Sequence, residues 1–254
     1  MVKIDKSVQK TLIIMGGIIL LAAAAAVAYS NFSSANTVTG NGQATIEVTP
    51  DLISVYFSIE THGATSQEAS DNNSKIVDDL TTALIKQGFN MSQIQTTSFN
   101  IYPDYSYDSS GKQNQNGFVA MHGIKVQMPT SDSGKIGGVI DAGVGAGALV
   151  SYIDFELSPA SESSYKSQAL TQATQDAHSK AQAIAAGLGK RLGRLVSVSD
   201  TSFNYMPGRL FDSSVSGAGI TPSAAGAEAK SAVQSITPSS QEVTASVTAV
   251  YKLA

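Results

Sequence analysis

The stretch "TVTGNGQATIEVTPD", residues 37–51, decides how the rest of the chain is read. Gly40-x-Gly42 beside small polar residues resembles a loop that cradles a phosphate. A dinucleotide fingerprint requires a preceding strand, a small residue at the sixth position and a helix opening at once. Here Thr45 holds the sixth position, a β-pattern follows, and no Walker-type Lys-Ser/Thr is present. The pair therefore reads as a glycine-kinked entry into a first strand. Ala44, Ile46 and Val48 alternate with polar residues. After "PD", Ile53, Val55, Phe57 and Ile59 alternate with Ser54, Tyr56, Ser58 and Glu60. A period of two marks a half-buried strand, and Pro50 suits a bulge or an edge within it.

Outward from this strand the pattern changes period. Thr65-x-x-Glu68 forms a capping box, followed by an apolar stripe of Ala69, Ile76, Val77, Leu80 and Leu84 and a Gly88 stop. A hairpin comes next. Phe99 and Ile101 lie on one arm, "YPDYSYDSSGKQNQNG" forms a polar tip, and "FVAMHGIKVQM" returns. A short helix with Ile136, Val139, Ile140 and Val144 inward precedes a strand with Leu149, Ile153, Phe155 and Leu157 on one face. The longest helix is expected over about residues 161–188, with Leu170, Ala173, Ala177, Ala181, Ile184 and Leu188 at helical spacing. "RLVSVSDTSF" reads as a strand, and residues 206–238, rich in Gly, Ser, Ala and Pro, read as a mobile insertion. In the closing "QEVTASVTAVYKL" six residues from Val243 to Leu253 alternate with polar or smaller neighbours, which suits a strand inside a sheet. The predicted class is α+β, with amphipathic helices packed on a mostly antiparallel sheet.

The N-terminus sets the compartment. Residues 1–10 carry three lysines, and Thr11–Tyr29 is free of charge. A helix of that length nearly crosses a hydrocarbon core of about 30 Å. No Lys or Arg follows until Lys75, which places residues 1–10 in the cytoplasm and the large domain, residues 37–254, outside. Residues 30–36 form a short tether. The competing reading is a cleaved signal peptide with "AVA" at residues 26–28, which leaves a secreted or periplasmic domain. Beyond residue 30 there are 13 basic and 19 acidic residues. That balance argues against nucleic acid, whose binding rests on clustered cations. Lys190, Arg191 and Arg194 form the one basic cluster, and they follow the long helix, where cations complement the negative end of its dipole. There is no cysteine, so disulfides and thiolate chemistry are excluded.

Motifs for catalysis are missing. His62, His122 and His178 have no ligand spacing, and Ser163-x-x-Lys166 lacks the companion motifs of acyl-serine enzymes. No cofactor or metal is expected, and the chain is read as a non-enzyme. The alternatives are a cell-surface hydrolase without a recognised motif or a small-ligand-binding protein. The feature with surface character is the tip, where Tyr102, Tyr105 and Tyr107 interleave with Asp104 and Asp108. Tyrosine joins apolar area to a polar handle, which suits a protein contact. Asn31, Asn72 and Asn90 each open an N-x-S sequon.

Several segments in order resemble the SIMPL-domain family, which includes periplasmic immunogenic and oxidative-stress-defence proteins. They are Val38-x-Gly40-x-Gly42, the pair Pro50-Asp51, "ALIKQGFNMSQIQTTSFNIYPDYSY", "GGVIDAGVGAGA", "AQAIAAGLGKRLGRLVSVSD" and "ITPSSQEVTASVTAVYKL". The resemblance covers residues 37–253. It implies an exported α+β domain that assembles into homo-oligomers, with no established enzymatic activity and no catalytic residues to carry over. Bacterial relatives are linked to envelope stress, and a mammalian relative is an adaptor associated with a signalling kinase. The anchor departs from the soluble periplasmic members.

Overall fold

A computed structural model describes residues 36–216, 220–233 and 240–254, with Met15, Gly17, Leu21 and Ala22. The element order is β1 (Thr37–Val48), β2 (Leu52–Gly63), α1 (Ser66–Lys86), β3 (Ile94–Tyr107), β4 (Gln113–Pro129), α2 (Ile136–Ala146), β5 (Leu149–Glu156), α3 (Pro159–Gly187), β6 (Leu192–Tyr205), β7 (Gly208–Asp212), α4 (Pro222–Val233) and β8 (Gln241–Leu253). This is an α+β fold with antiparallel sheets. Two compact units divide it: Met1–Ala44, Ala169–Phe203 and Thr244–Ala254 form one, and Thr45–Gln168 and Asn204–Val243 the other. Among the described residues no helix is long and apolar enough to cross a membrane. The Thr11–Tyr29 stretch lies almost wholly outside those residues.

The larger unit is a five-stranded sheet in the order β3-β4-β2-β5-β7. Alternation in β2 sends Ile53, Val55, Phe57 and Ile59 to one face, where they meet Leu80 and Leu84 of α1, Ile136, Val139 and Ile140 of α2, and Ala225 and Ala229 of α4 in one buried cluster. Thr65 caps α1 by accepting from the Glu68 N–H, while the Glu68 carboxylate accepts from the Ala64 N–H. Gly88 takes the left-handed conformation (φ 89°) that ends the helix. The segment expected as a mobile insertion, residues 206–238, instead holds β7 and α4, and it places Phe211, Ala225 and Ala229 in the core. Its helix packs through Ala225, Gly226 and Ala229, side chains too small to give an apolar stripe in sequence.

The smaller unit is a three-stranded sheet with β8 central, flanked by β1 and β6. The even alternation of β8 is therefore that of an interior strand, as its sequence indicates. Ala169, Ala173, Ala177, Ala181 and Ala185 of α3 are all fully buried at a spacing of four. Ile184 and Leu188, expected inward, are 47% and 63% exposed. The reason lies in β1. Val38, Gly40 and Gly42 are the buried positions of its first half, and a Cβ on either glycine would overlap a carbonyl oxygen of α3, Ala177 or Ala173. The helix backbone thus rests directly on the strand, which only an alanine ridge over glycines permits. Neither glycine has a positive φ, so they serve close approach, and no kink is needed.

The "PD" pair separates β1 and β2, which belong to different sheets and do not form one bulged strand. Pro50 is buried. Asp51 accepts from the Ser158 N–H at 2.6 Å, the Ser158 hydroxyl at 2.7 Å and the Ser161 hydroxyl at 2.6 Å. Its own carbonyl accepts from the Thr130 N–H. Ser158 in turn caps α3, taking the Ser161 N–H ahead of Pro159 in the first turn.

Candidate functional site

The β3–β4 hairpin outruns its sheet. β2 pairs with β4 from Leu52 opposite Pro129 to Gly63 opposite Phe118, whereas β3 and β4 continue to Tyr107 opposite Gln113. Among the described residues, those beyond Phe118 and Pro103 therefore form a two-stranded arm with no third strand beside it. Its turn is held by Asp108, whose carboxylate accepts from the N–H groups of Ser110 and Lys112 and from the Ser110 hydroxyl, with Gly111 at φ 79°. The hydrogen bond from Ser110 leads in holding the Asp108 carboxyl below its usual range. Of the five residues singled out from sequence, Asp108 is thus engaged in the turn, and Asp104 is partly shielded.

Tyr102, Tyr105 and Tyr107 are 42%, 47% and 70% exposed, and Phe99 and Ile101 of the same strand are 45% and 36% exposed. All five lie on β3, the outermost strand, whose outer backbone edge has no neighbour in the sheet. The Tyr102 hydroxyl donates to the sulfur of Met121. Behind Phe99 stands His122, with ring centroids 5.0 Å apart. The amide of the buried Asn73 donates to the carbonyls of Ile59 and Ala120, so its oxygen faces His122 Nδ1 at 3.0 Å and must accept. That fixes the proton on Nδ1 and leaves Nε2 to accept from the Thr96 hydroxyl at 2.9 Å. Burial pushes the His122 pKa down.

Sequence reasoning missed a second cluster, on the sheet face opposite the helices. Register aligns Ser54 of β2 with Gln127 of β4 and Asp154 of β5, and Tyr56 with Lys125 and Tyr152. Glu156 sits at the centre. It accepts from the Tyr56 hydroxyl (2.7 Å), the Ser54 hydroxyl (2.9 Å), Lys125 Nζ (2.6 Å) and Gln127 Nε2 (3.1 Å). Burial raises the Glu156 pKa, but these donors, Lys125 foremost, outweigh it and hold the carboxyl below its usual range. Burial and the bond to Glu156 push the Tyr56 phenol well up. Beside it Tyr56 stacks on Tyr152 at 4.2 Å, and Arg209 lies over Tyr152 while bonded to Asp154 and Asp212. Three of these donors share Oε2 and Tyr56 takes Oε1, so the carboxylate ties β2, β4 and β5 together, and the Ser54 proton points at Glu156. The cluster is a cross-strand clamp. The alternating polar residues of β2 were its signal, but their partners are remote in sequence.

Among the described residues no three His, Cys, Asp or Glu side chains converge as a metal site. His62 pairs with Glu60 on the surface, and His178 stands edge-on to Tyr251.

Residues 38–251 match the model of the SIMPL family, described as a protein of unknown function (DUF541), and the chain belongs to that family. It is 25% identical over 170 residues to the uncharacterized protein YggE of Edwardsiella ictaluri, covering 67% of this chain and 70% of that one. It is 26% identical over 172 residues to the 26 kDa periplasmic immunogenic protein of Brucella melitensis, covering 67% and 68%. The Brucella abortus protein of the same name is 25% identical over a stretch of the same length. Among solved structures, a predicted insulinase family protease from Yersinia pestis overlaps at 13% identity and a TM-score of 0.17. The match spans 73% of this chain and 34% of that one, and so slight a likeness carries no argument.

Proposed function

We propose that the chain is a membrane-anchored, extracytoplasmic module that works by self-assembly and not by catalysis, with the outer edge of β3, from Phe99 to the hairpin tip, as its contact. The observation that carries this reading is the edge strand itself. Over fourteen residues β3 holds one charged side chain, Asp104, and five half-exposed aromatic or aliphatic ones. Monomeric proteins shield such edges with lysines, prolines or short strands. Pro103 and two bulges interrupt β3, yet Phe99 to Tyr102 lie between them unprotected. A two-stranded ribbon is marginal alone, and a partner strand would stabilise it. A second copy supplies such a strand. The periplasmic naming of the Brucella relatives and the lysine-flanked apolar run at residues 11–29 support the compartment. A role in envelope stress remains part of this proposal through the family resemblance alone.

The test is the mass of the full chain in mild detergent, by light scattering, across micromolar concentrations. A defined oligomer that Tyr102→Ser, Tyr105→Ser and Tyr107→Ser together dissociate, with unchanged circular dichroism, supports the reading. A monomer throughout overturns assembly, and an oligomer indifferent to the tyrosines moves the interface elsewhere.

A further inference from the structure

We infer that the end of the smaller unit carrying Lys190 and Arg191 is a docking surface for anionic phospholipid headgroups of the membrane that holds the chain. This rests on the anchor reading above and names the partner of that anchor. The first observation is charge. The chain as a whole has 20 acidic residues against 16 basic ones. The smaller unit from Asn36 onward reverses this, with Lys180, Lys190, Arg191, Arg194 and Lys252 against Asp176 and Asp200. Asp176 is taken by Lys180, and among the described residues no carboxylate pairs with Lys190, Arg191 or Arg194.

The second observation is shape. A groove of about 370 Å³ opens between the end of α3 and the start of β6. His178, Gln182, Lys190 and Arg191 line it with donors, and Ala186 and Leu192 add apolar lining. Among the described residues no Asp or Glu lines it. Leu188, 63% exposed, sits two residues before Lys190. Cations beside an exposed apolar side chain match a headgroup with its acyl boundary better than they match a small ion in water.

The third observation is position. Leu253 N–H donates to the Asn36 carbonyl at 2.7 Å, and Ala254 and Arg191 exchange two backbone hydrogen bonds. Asn36, where the tether enters, and Arg191 therefore border the same end of β8. Seven tether residues, 30–36, span at most about 25 Å even when fully extended. The anchor thus keeps this end within a short tether's reach of the bilayer surface, where headgroup attraction acts over roughly a Debye length of 8–10 Å.

The chain lacks cysteine, so Gln182→Cys gives a unique label in the groove. The full chain carrying a fluorophore there is placed in nanodiscs of phosphatidylcholine with or without phosphatidylglycerol, each doped with nitroxide-headgroup lipid. The groove label should be quenched at least about fivefold more with phosphatidylglycerol, the gain of one juxtamembrane cation. K190Q/R191Q/R194Q should return it to the phosphatidylcholine level. Equal quenching in both lipids, or an unchanged triple variant with native circular dichroism, overturns the proposal. So does inorganic phosphate that shifts the groove label in phosphatidylcholine discs as much as phosphatidylglycerol does, since the groove is then a small-anion site. A chain that does not remain with the discs refutes the anchor, a separate outcome that removes the proposal's premise.

Discussion

Gly42 of β1 packs so closely on Ala173 of α3 that a methyl group at Gly42 would overlap the Ala173 carbonyl oxygen. Backbone cannot retreat as a side chain can, so the helix must lift from the strand. Gly42→Ala should therefore cost at least the ~1–3 kcal/mol of an overpacked core, and Gly40→Ala a similar amount. Denaturant midpoints check this. Gly187→Ala, with nothing near its Cβ, is the control and should be near neutral. Equal stability of all three variants would mean that the helix does not rest on the glycines.

Asp51 joins the start of β2 to the first turn of α3 through three hydrogen bonds from Ser158 and Ser161. Asp51→Ala removes all three and strips the cap of its support. A loss of about 1–3 kcal/mol is expected, the range for an N-cap or for buried donors left unpaired. Ser161→Ala removes one hydrogen bond and should cost less. Burial raises the Asp51 pKa, but the Ser161 and Ser158 bonds outweigh it and lower it below 3.8. A depressed carboxylate gives stability that is present above 3.8 and lost as pH falls through the lower folded value. Acid unfolding of Asp51→Asn should accordingly be shallower in that window than that of the native chain.

These two sites show what the sequence made legible. Strand and helix types follow from periodicity wherever large side chains carry it, as in β2, β8 and α1. Where small residues pack, the period leaves no apolar trace. Ala225, Gly226 and Ala229 hid α4, and the stripe read on α3 joins its alanines to Ile184 and Leu188, whereas the buried ridge runs on alanines alone, from Ala169 to Ala185. Pairing partners are not local. The separation of β1 from β2 into different sheets depends on β8, nearly two hundred residues later. The tyrosine tip was legible because its residues are neighbours in sequence. The Glu156 clamp was not, since Ser54 reaches it across 102 residues.

That clamp makes its own prediction. Lys125 and Glu156 are only 17% and 14% exposed and meet at 2.6 Å. Glu156→Leu alone leaves the Lys125 ammonium, the Tyr56 hydroxyl and the Ser54 hydroxyl without their acceptor, which should cost about 3–5 kcal/mol. Adding Lys125→Met removes the stranded charge and should recover a large part of that loss. Chemical denaturation of the two variants decides it. A double variant no more stable than the single one would show that the charge pair is not the dominant contribution.

His122 supplies the last prediction. Its Nδ1 proton is held by Asn73 and its Nε2 accepts from Thr96, an arrangement that suits the neutral ring. Burial lowers its pKa below 6.5 in the folded state. The unfolded chain therefore binds the proton more readily. Stability is complete above the unfolded value and falls as pH drops through 6.5 toward the lower folded one. Melting temperature should decline between about pH 7.5 and pH 5 in the native chain, ahead of the carboxylate-driven loss at lower pH. His122→Gln should be less stable at neutral pH but should lack this decline. Because Phe99 stands against the ring, protonation should also loosen the exposed segment from Phe99 to Tyr102, which hydrogen exchange at the amides of β3 would register. A melting profile that is flat over this range, or one unchanged by His122→Gln, would show that the ring does not couple to folding.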